Sequence, residues 1–416
     1  MRIALKEKMG KRMKLTKLPQ EFEQAIPVLQ RIEAAGFDAY FVGGSVRDTI
    51  LGQPIHDVDI ATSAFPAEIK ELFPRTIDLG IEHGTVLVLW ENEQYEITTF
   101  RTEEAYQDFR RPDKVAFVRS LAEDLKRRDF TINAFALKKD GEIIDLFDGL
   151  ADLQQKILRA VGQPHERFHE DALRMMRGLR FVSQLGFALE PRTFEAIYDN
   201  HQLLAKISVE RITIEFVKLL LGAHRNSALK AFVATECYLY CPGLKQAGEA
   251  LLRMADLPER PLNNEASAWT LLIDQIGLST AEVRPFLKQW KCSNELIRMV
   301  QSLFEGVLLR KAGPFSDEAL YHLGSDAARL SEELMYYYGQ EVDPSISQAR
   351  YQALPIHSLK DLAINGRDLL SHFDQSGGPW MKEVLAAAEK AVIERRVANE
   401  EKALLAFAKT IVLNNP

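Results

Sequence analysis

Cysteine is nearly absent: Cys237, Cys241 and Cys292 are the only thiols in 416 residues. Three cysteines build no disulfide framework for a chain of this size, which suits a reducing compartment, and a cytoplasmic setting is expected. The spacing in "CYLYC" (237–241) allows a metal pair, yet no second pair and no nearby histidine completes a tetrahedral site, so buried, inert thiols are expected. Long hydrophobic runs are missing as well. Stretches such as "TVLVLW" (85–90) fall far short of a bilayer span, so neither a transmembrane helix nor a membrane partner is expected. Excess positive charge is also missing: 52 Lys and Arg against 59 Asp and Glu give a formal charge of −7. The chain is therefore not coated for indiscriminate nucleic-acid binding, although a local basic groove would suffice for selective contact with RNA. No clear repeat, heptad run or low-complexity segment is visible.

What is present is a globular composition, 46% hydrophobic and 27% charged, in a chain long enough for two to four domains. The first 17 residues carry Arg2, Lys6, Lys8, Lys11, Arg12, Lys14 and Lys17 with no apolar core after them. No secretory signal is expected there; a basic arm and a start at Met9 or Met13 explain the segment equally well. Residues 38–150 alternate β-type runs with helical patterns. "DAYFVGG" reads as a strand into a turn, "SVRDTILG" as a helix ended by Gly52, and "HDVDIAT" as a strand. "AFPAEIKELF" reads as a helix with Pro66 near its start, and "GTVLVLW", "ENEQ" and "YEITTFR" as a hairpin. Beyond about residue 150 the periodicity is helical, as in "MKEVLAAAEKAVIERRV", where Met381, Val384, Leu385, Ala388, Ala391 and Val392 share a stripe. The expected fold class is α+β: a small mixed-sheet head followed by an all-helical remainder.

Two short patterns in the head carry chemistry. In "VGGSVRD" a strand meets paired glycines and then a helix, so backbone N–H groups can approach an anion, with Arg47 in reach. Alone, such a turn is more often structural than functional. In "DVD" a strand would put Asp57 and Asp59 on one face, where two carboxylates suit a hard divalent ion such as Mg²⁺. Alone, this pair reads as a solvated strand edge. In sequence, the two patterns place phosphates and metal in one cleft, and a third carboxylate would complete a two-metal site. Glu96 in "QYEITTF" is the candidate, on a neighbouring strand.

These patterns resemble the polymerase-beta-type nucleotidyltransferase superfamily. More narrowly, "GGSVRD", "DVDIAT", "RRDFTINA" (127–134), "DGLADLQQKILRAVG" (148–162) and "EDALRMMRGLRF" (170–181) resemble, in order, the motifs of the bacterial class II tRNA nucleotidyltransferases. That branch comprises CCA-adding enzymes and bacterial poly(A) polymerase. "INGRDLL" and "GGPW" resemble its C-terminal region more loosely.

The resemblance implies template-independent addition of C, C and A to the 3′ end of tRNA from CTP and ATP, with release of pyrophosphate. It implies Mg²⁺ held by Asp57 and Asp59, with Glu96 helping to activate the terminal 3′-hydroxyl. Gly44, Arg47 and Arg128 would hold the nucleotide, Asp129 would order Arg128, and Asn133 has no evident role. Asp171, Arg174, Arg177 and Arg180 recur every third residue on an expected helix, with Asp171 and Arg174 adjacent; as a pattern alone this reads as a salt bridge and a solvated basic stripe. Cytosine and adenine both offer an amino donor beside a ring-nitrogen acceptor, which an Asp–Arg pair matches and which uracil and guanine oppose. The resemblance assigns this reading to Asp171 and Arg174, with Arg177 and Arg180 bracing the pocket or the triphosphate.

The implied layout is a head over residues 1–155, a neck over 156–225, a body over 226–315 and a tail over 316–416. The neck would carry the base-selecting helix, body and tail would hold tRNA by its acceptor stem and elbow, and a homodimer is compatible with the pattern. Asp148-Gly149 reads as a turn at the head–neck junction. The charged segment "YQDFRRPDKVAFV" (106–118) resembles a family loop that accompanies addition of the final A. Poly(A) polymerase and a non-catalytic RNA-binding protein retaining the fold are the alternatives. The first is disfavoured by the absence of a long basic C-terminal extension, the second by the intact "DVD" and Arg128 motifs. A His-Asp phosphohydrolase domain is not expected, because His201, His224, His322, His357 and His372 are each followed by a residue other than Asp.

Overall fold

In the computed structural model, which describes residues 13–414 other than 56, 107–111 and 374, the chain divides into two units, Met1–Ala255 and Asp256–Pro416. Most of the N-terminal basic segment and the centre of the 106–118 segment lie outside the described residues.

The first unit begins with β1 (Met13–Lys14), α1 (Gln20–Ala34), β2 (Ala39–Val42), α2 (Gly44–Leu51), β3 (Asp59–Thr62), α3 (Pro66–Leu72) and β4 (Thr76–Asp78). The hairpin β5 (Thr85–Trp90) and β6 (Glu93–Thr99) follows, then the ribbon β7 (Arg101–Tyr106) and β8 (Pro112–Phe117), α4 (Leu121–Lys126), β9 (Phe135–Leu137) and β10 (Glu142–Asp145). Turn chemistry sets these boundaries. Gly52 takes the left-handed conformation that closes α2 (φ 68°), and Pro66 opens α3 at its first turn.

Eight strands form one mixed sheet in the order β1-β10-β9-β2-β3-β6-β5-β4. Its β3–β6 pair is parallel, with Asp59 opposite Glu96; its other pairs are antiparallel. Phe41, Ile60, Val86, Val88 and Ile97 are buried along these strands, and α1 covers the sheet with Phe22, Ala25, Val28, Leu29 and Ile32. Apolar burial fixes the register, because slipping one residue would turn each side chain to the opposite face.

Helices dominate thereafter: α5 (Gly149–Gln155), α6 (Pro164–Glu170), α7 (Leu173–Leu185), α8 (Pro191–Asn200), α9 (Val209–Leu221), α10 (Arg225–Ala234) and α11 (Gly248–Ala255). They are interrupted only by the two-residue strands β11 (Ile157–Leu158) and β12 (Ala188–Leu189). The second unit is wholly helical among its described residues: α12 (Glu265–Ile276), α13 (Thr280–Gln289), α14 (Asn294–Ala312), α15 (Asp317–Leu334), α16 (Pro344–Gln352), α17 (Gly366–His372), α18 (Pro379–Ile393) and α19 (Glu401–Asn414). Two cores hold it. Trp269 and Trp290 pack edge to face at 5.0 Å, and Val384, Ala388 and Val392 of α18 pack with Leu369, Leu404 and Ala408. Met381 and Leu385 flank that second core, as the stripe in the sequence implied. The α+β architecture is therefore the one expected, and no described helix is long and apolar enough to cross a membrane. All three cysteines are buried and free, and burial pushes the Cys237 and Cys292 thiols up to about 12.

Candidate active site

One cleft of about 880 Å³ in the first unit is lined by Gly43, Gly44, Arg47, Asp59, Glu96, Arg128, Asp171, Arg174, Arg177 and Arg180, among others. Eight arginines and four carboxylates line it, so a chain of net negative charge still has a strongly basic cleft.

The glycine turn forms the first edge. Gly43 has φ 78° and ψ −146°, which a residue with a side chain rarely adopts, and it starts α2 with no side-chain cap. A Cβ there would lie 3.1 Å from Asp59 Oδ2, whereas one at Gly44 would meet only Arg47 NH2 at 3.5 Å. The first glycine of the pair is thus the constrained one, and the sequence reading had singled out the second. Arg47 is buried, donates to Asp48 Oδ1 from Nε at 2.8 Å and to Asn133 Oδ1 from NH1 at 2.6 Å. Asn133, unplaced by the sequence, therefore orients this arginine.

The carboxylates stand one strand further on. Asp59 and Glu96 are in register on β3 and β6, and Asp59 is the exposed member of an otherwise buried strand. Asp57 is exposed and lies two residues before β3, so the strand is shorter than "HDVDIAT" suggested. It does not line the cleft as Asp59 does, but its charge reaches Asp59. Solvent still reaches Asp59, yet the surrounding protein raises its carboxyl above the ordinary range. Glu96 and Asp57 push the same way, and Arg128 pulls it down. Among the described residues no group of three His, Cys, Asp or Glu side chains is gathered to hold an ion unaided. Magnesium commonly takes one or two carboxylates and completes its shell with water and substrate phosphate, so the oxygen donors here fit such an ion.

The opposite wall is built on α7. Arg174 donates to Glu170 Oε2 at 2.6 Å and to the Arg127 carbonyl at 2.9 Å. Arg177 donates from Nε to Asp129 Oδ2 at 2.8 Å. Arg180 Nε lies 3.0 Å from Glu215 Oε2, an ion pair too poorly aligned to be a hydrogen bond. Burial lowers the Arg180 guanidinium from its ordinary value, against the pull of Glu215. Phe181 lies beneath three guanidiniums, with Arg180 4.2 Å, Arg47 5.2 Å and Arg177 5.7 Å from its ring centre.

Two expectations change here. Asp171 does not share the helical ridge: it ends α6 with extended backbone (φ −137°, ψ 103°). Its Oδ1 accepts from the Leu173 N–H at 3.0 Å, and its Oδ2 accepts from Arg211 NH2 at 2.8 Å. Second, Asp129 does not order Arg128. It orders Arg177 and also accepts from Asn133 Nδ2 at 3.1 Å. Burial would raise the Asp129 carboxyl, but Arg177 and these hydrogen bonds hold it well below the usual carboxylate range. Arg128 is instead held by Asp124 at 3.1 Å. Burial likewise opposes ionisation of Asp124, and Arg127 and Arg128 together hold its carboxyl low. Asp124, Glu215, Arg211 and Phe181 escaped the sequence reading. Only Asp124 left a local trace, in its spacing of three and four residues from Arg127 and Arg128 on one helix face.

Comparison with known proteins extends beyond this cleft. Residues 39–159 match the poly A polymerase head domain, 186–247 the RNA and SrmB- binding site of polymerase A, and 260–408 tRNA nucleotidyltransferase domain 2. The chain is 59% identical to the CCA-adding enzyme of Enterococcus faecalis over 397 residues, covering 95% of this chain and 98% of that protein. It is 52% identical to the CCA-adding enzyme of Lactiplantibacillus plantarum over 401 residues, covering 96% and 98%. The crystal structure of the Bacillus stearothermophilus CCA-adding enzyme in complex with CTP superposes with a TM-score of 0.89 at 40% identity, covering 95% of this chain and 99% of that one. With such identity along nearly its whole length, this chain belongs to the family of CCA-adding tRNA nucleotidyltransferases.

Proposed function

We propose that the cleft adds C, C and A in turn to the 3′ end of tRNA, from CTP and ATP and without a template. One observation carries this reading: the glycine turn, the carboxylates of β3 and β6, and Asp171 with Arg174 line the same cleft. Gly44, Arg47 and Arg128 hold the triphosphate. Asp171 accepts from the exocyclic amino group of cytosine or adenine, and Arg174 donates to the adjacent ring nitrogen. Uracil and guanine present a carbonyl and a ring N–H to the same pair, leaving like groups buried against each other. Arg177 and Arg180 brace the pocket.

Nucleotidyltransferases of this family use a divalent metal ion. Asp57 and Asp59 would hold it as Mg²⁺, whose charge stabilises the α-phosphate and lowers the barrier to ionising the attacking hydroxyl. Glu96, beside Asp59, orients the RNA 3′-hydroxyl. The hydroxyl oxygen, giving up its proton to the Glu96 carboxylate, bonds to the α-phosphorus, the α–β phosphoanhydride breaks, and pyrophosphate leaves. The division of labour is a catalytic head (1–155), a neck (156–225) carrying the base reader, and a body (226–315) and tail (316–416) that grip the acceptor stem and elbow of tRNA, in the cytoplasm.

Poly(A) synthesis is the weaker reading. The head model bears that name, but the curated relatives above match almost end to end as CCA-adding enzymes. The test uses purified protein, Mg²⁺ and a tRNA transcript lacking its last three nucleotides. CTP alone should extend it by two residues, and CTP with ATP by three and no more. A ladder of A residues from ATP alone would overturn the reading.

A further inference from the structure

Asp171 can read a base only if its carboxylate is presented in one orientation. The two-residue link between α6 and α7 does not secure this alone, because Asp171 sits outside both helices. Oδ1 is fixed by the Leu173 N–H at 3.0 Å. Oδ2 is fixed by Arg211 NH2 at 2.8 Å, forty residues along the chain. Arg211 stands on the first turn of α9 and lines the same cleft. It is itself rigidly mounted: Ile212, Phe216 and Leu219 bury the apolar face of α9, and Glu215, one turn on, pairs with Arg180 of α7. Its second terminal nitrogen, NH1, is buried with no hydrogen-bond partner among the described residues. A pair serving stability alone would gain by satisfying that donor; a polar group entering the cleft would relieve it.

We propose that Arg211 is a positioning residue for base selection. It clamps the Asp171 carboxylate so that an oxygen faces the exocyclic amino group, and thereby sets the preference for CTP and ATP over UTP and GTP. Each carboxylate oxygen has two acceptor sites, so engagement by Leu173 and Arg211 leaves capacity for the base. Losing the clamp removes a bond that only C and A make. Use of CTP and ATP therefore falls while the poor use of UTP and GTP hardly changes. A merely structural role would lower all four alike.

The inference rests on the function proposed above, and the experiment separates the two. Steady-state incorporation of each nucleotide is measured on the same tRNA transcript with full-length wild type, R211Q, R211K, D171N and R211Q/D171N. R211Q should lower the CTP-to-UTP ratio of kcat/KM by about tenfold or more. R211K, which restores charge but not the planar fork, should recover part of it. The double variant should show the D171N ratio and no further loss. An unchanged ratio in R211Q, an equal loss for all four nucleotides, or additive effects in the double variant would overturn the inference alone. If R211Q fails to fold, R211K carries the same comparison, and a wild-type ratio in it overturns the clamp. A wild type that adds no C to this RNA would overturn the function and the inference together.

Discussion

The two walls of the cleft hold their charges in opposite ways. On the sheet wall, Asp57, Asp59 and Glu96 bring like charges together, and Asp59 is pushed toward its neutral form. On the α7 wall, each arginine of the ridge has its own acid: Glu170 for Arg174, Asp129 for Arg177 and Glu215 for Arg180. The first arrangement costs stability until a cation and phosphates join it. The second is ion-paired throughout without a ligand, although Arg180 Nε and Glu215 Oε2 make no hydrogen bond, and it keeps long, flexible side chains in one geometry. The contrast separates like charges left unbalanced from charges paired in advance, although both would pass in sequence for conspicuous charge.

The sharpest way to break this contrast is on the sheet wall. Asp57→Ala or Asp59→Ala should lower incorporation of every nucleotide by more than about a thousandfold, as loss of transition-state charge stabilisation does. tRNA binding, followed by filter retention, should persist. Activity within tenfold of wild type in D59A would remove the metal from this wall. On the α7 wall the large effect should be on stability. Arg177→Leu strands the buried Asp129 carboxylate and should cost about 3 kcal/mol in chemical denaturation. The sign of its pH dependence follows from Asp129, whose folded pKa lies below the unfolded value. The Asp129 contribution is present above about pH 4 and is lost as pH falls toward the folded value, so wild type and R177L should converge in strong acid. A pH-independent gap would assign the loss to packing. The smallest effect sharpens the contrast by its direction. Without metal at neutral pH, Asp59→Asn removes a like charge and should raise the melting temperature by about one or two degrees, whereas Asp129→Asn should lower it.

Much of the sheet wall was legible in the sequence, because its signals are local. Period-two alternation marks the strands, Gly43 and Gly52 mark the turns, and Pro66 marks a helix start. Glu96 is expected on a neighbouring strand of the same sheet, and the structure sets it directly opposite Asp59. The α7 wall was legible only as a spacing. Arg174, Arg177 and Arg180 announce a helix face, and Glu170 lies a local four residues from Arg174; but Asp129 and Glu215 come from the loop after α4 and from α9, and no local rule links those segments to α7. The spacing of three puts Asp171 on the same helix as the arginines, whereas in the structure Asp171 ends α6. Its own side chain, accepting from Leu173 two residues later, is the local competitor that ends α6 there. Asp129 was assigned to its neighbour Arg128 by proximity in sequence, and the structure pairs it with Arg177 across 48 positions.

The alternation along β6 has one more consequence. Tyr95 and Ile97 are buried on either side of Glu96, at 5% and 1% exposure. A one-step shift of β6 against β3 would expose both apolar side chains and turn the carboxylate into the interior. Such a misthreaded chain is penalised by the core long before any RNA is met. Two residues that never approach a nucleotide therefore act as proofreaders of assembly, admitting only molecules whose carboxylates already face each other across the strands.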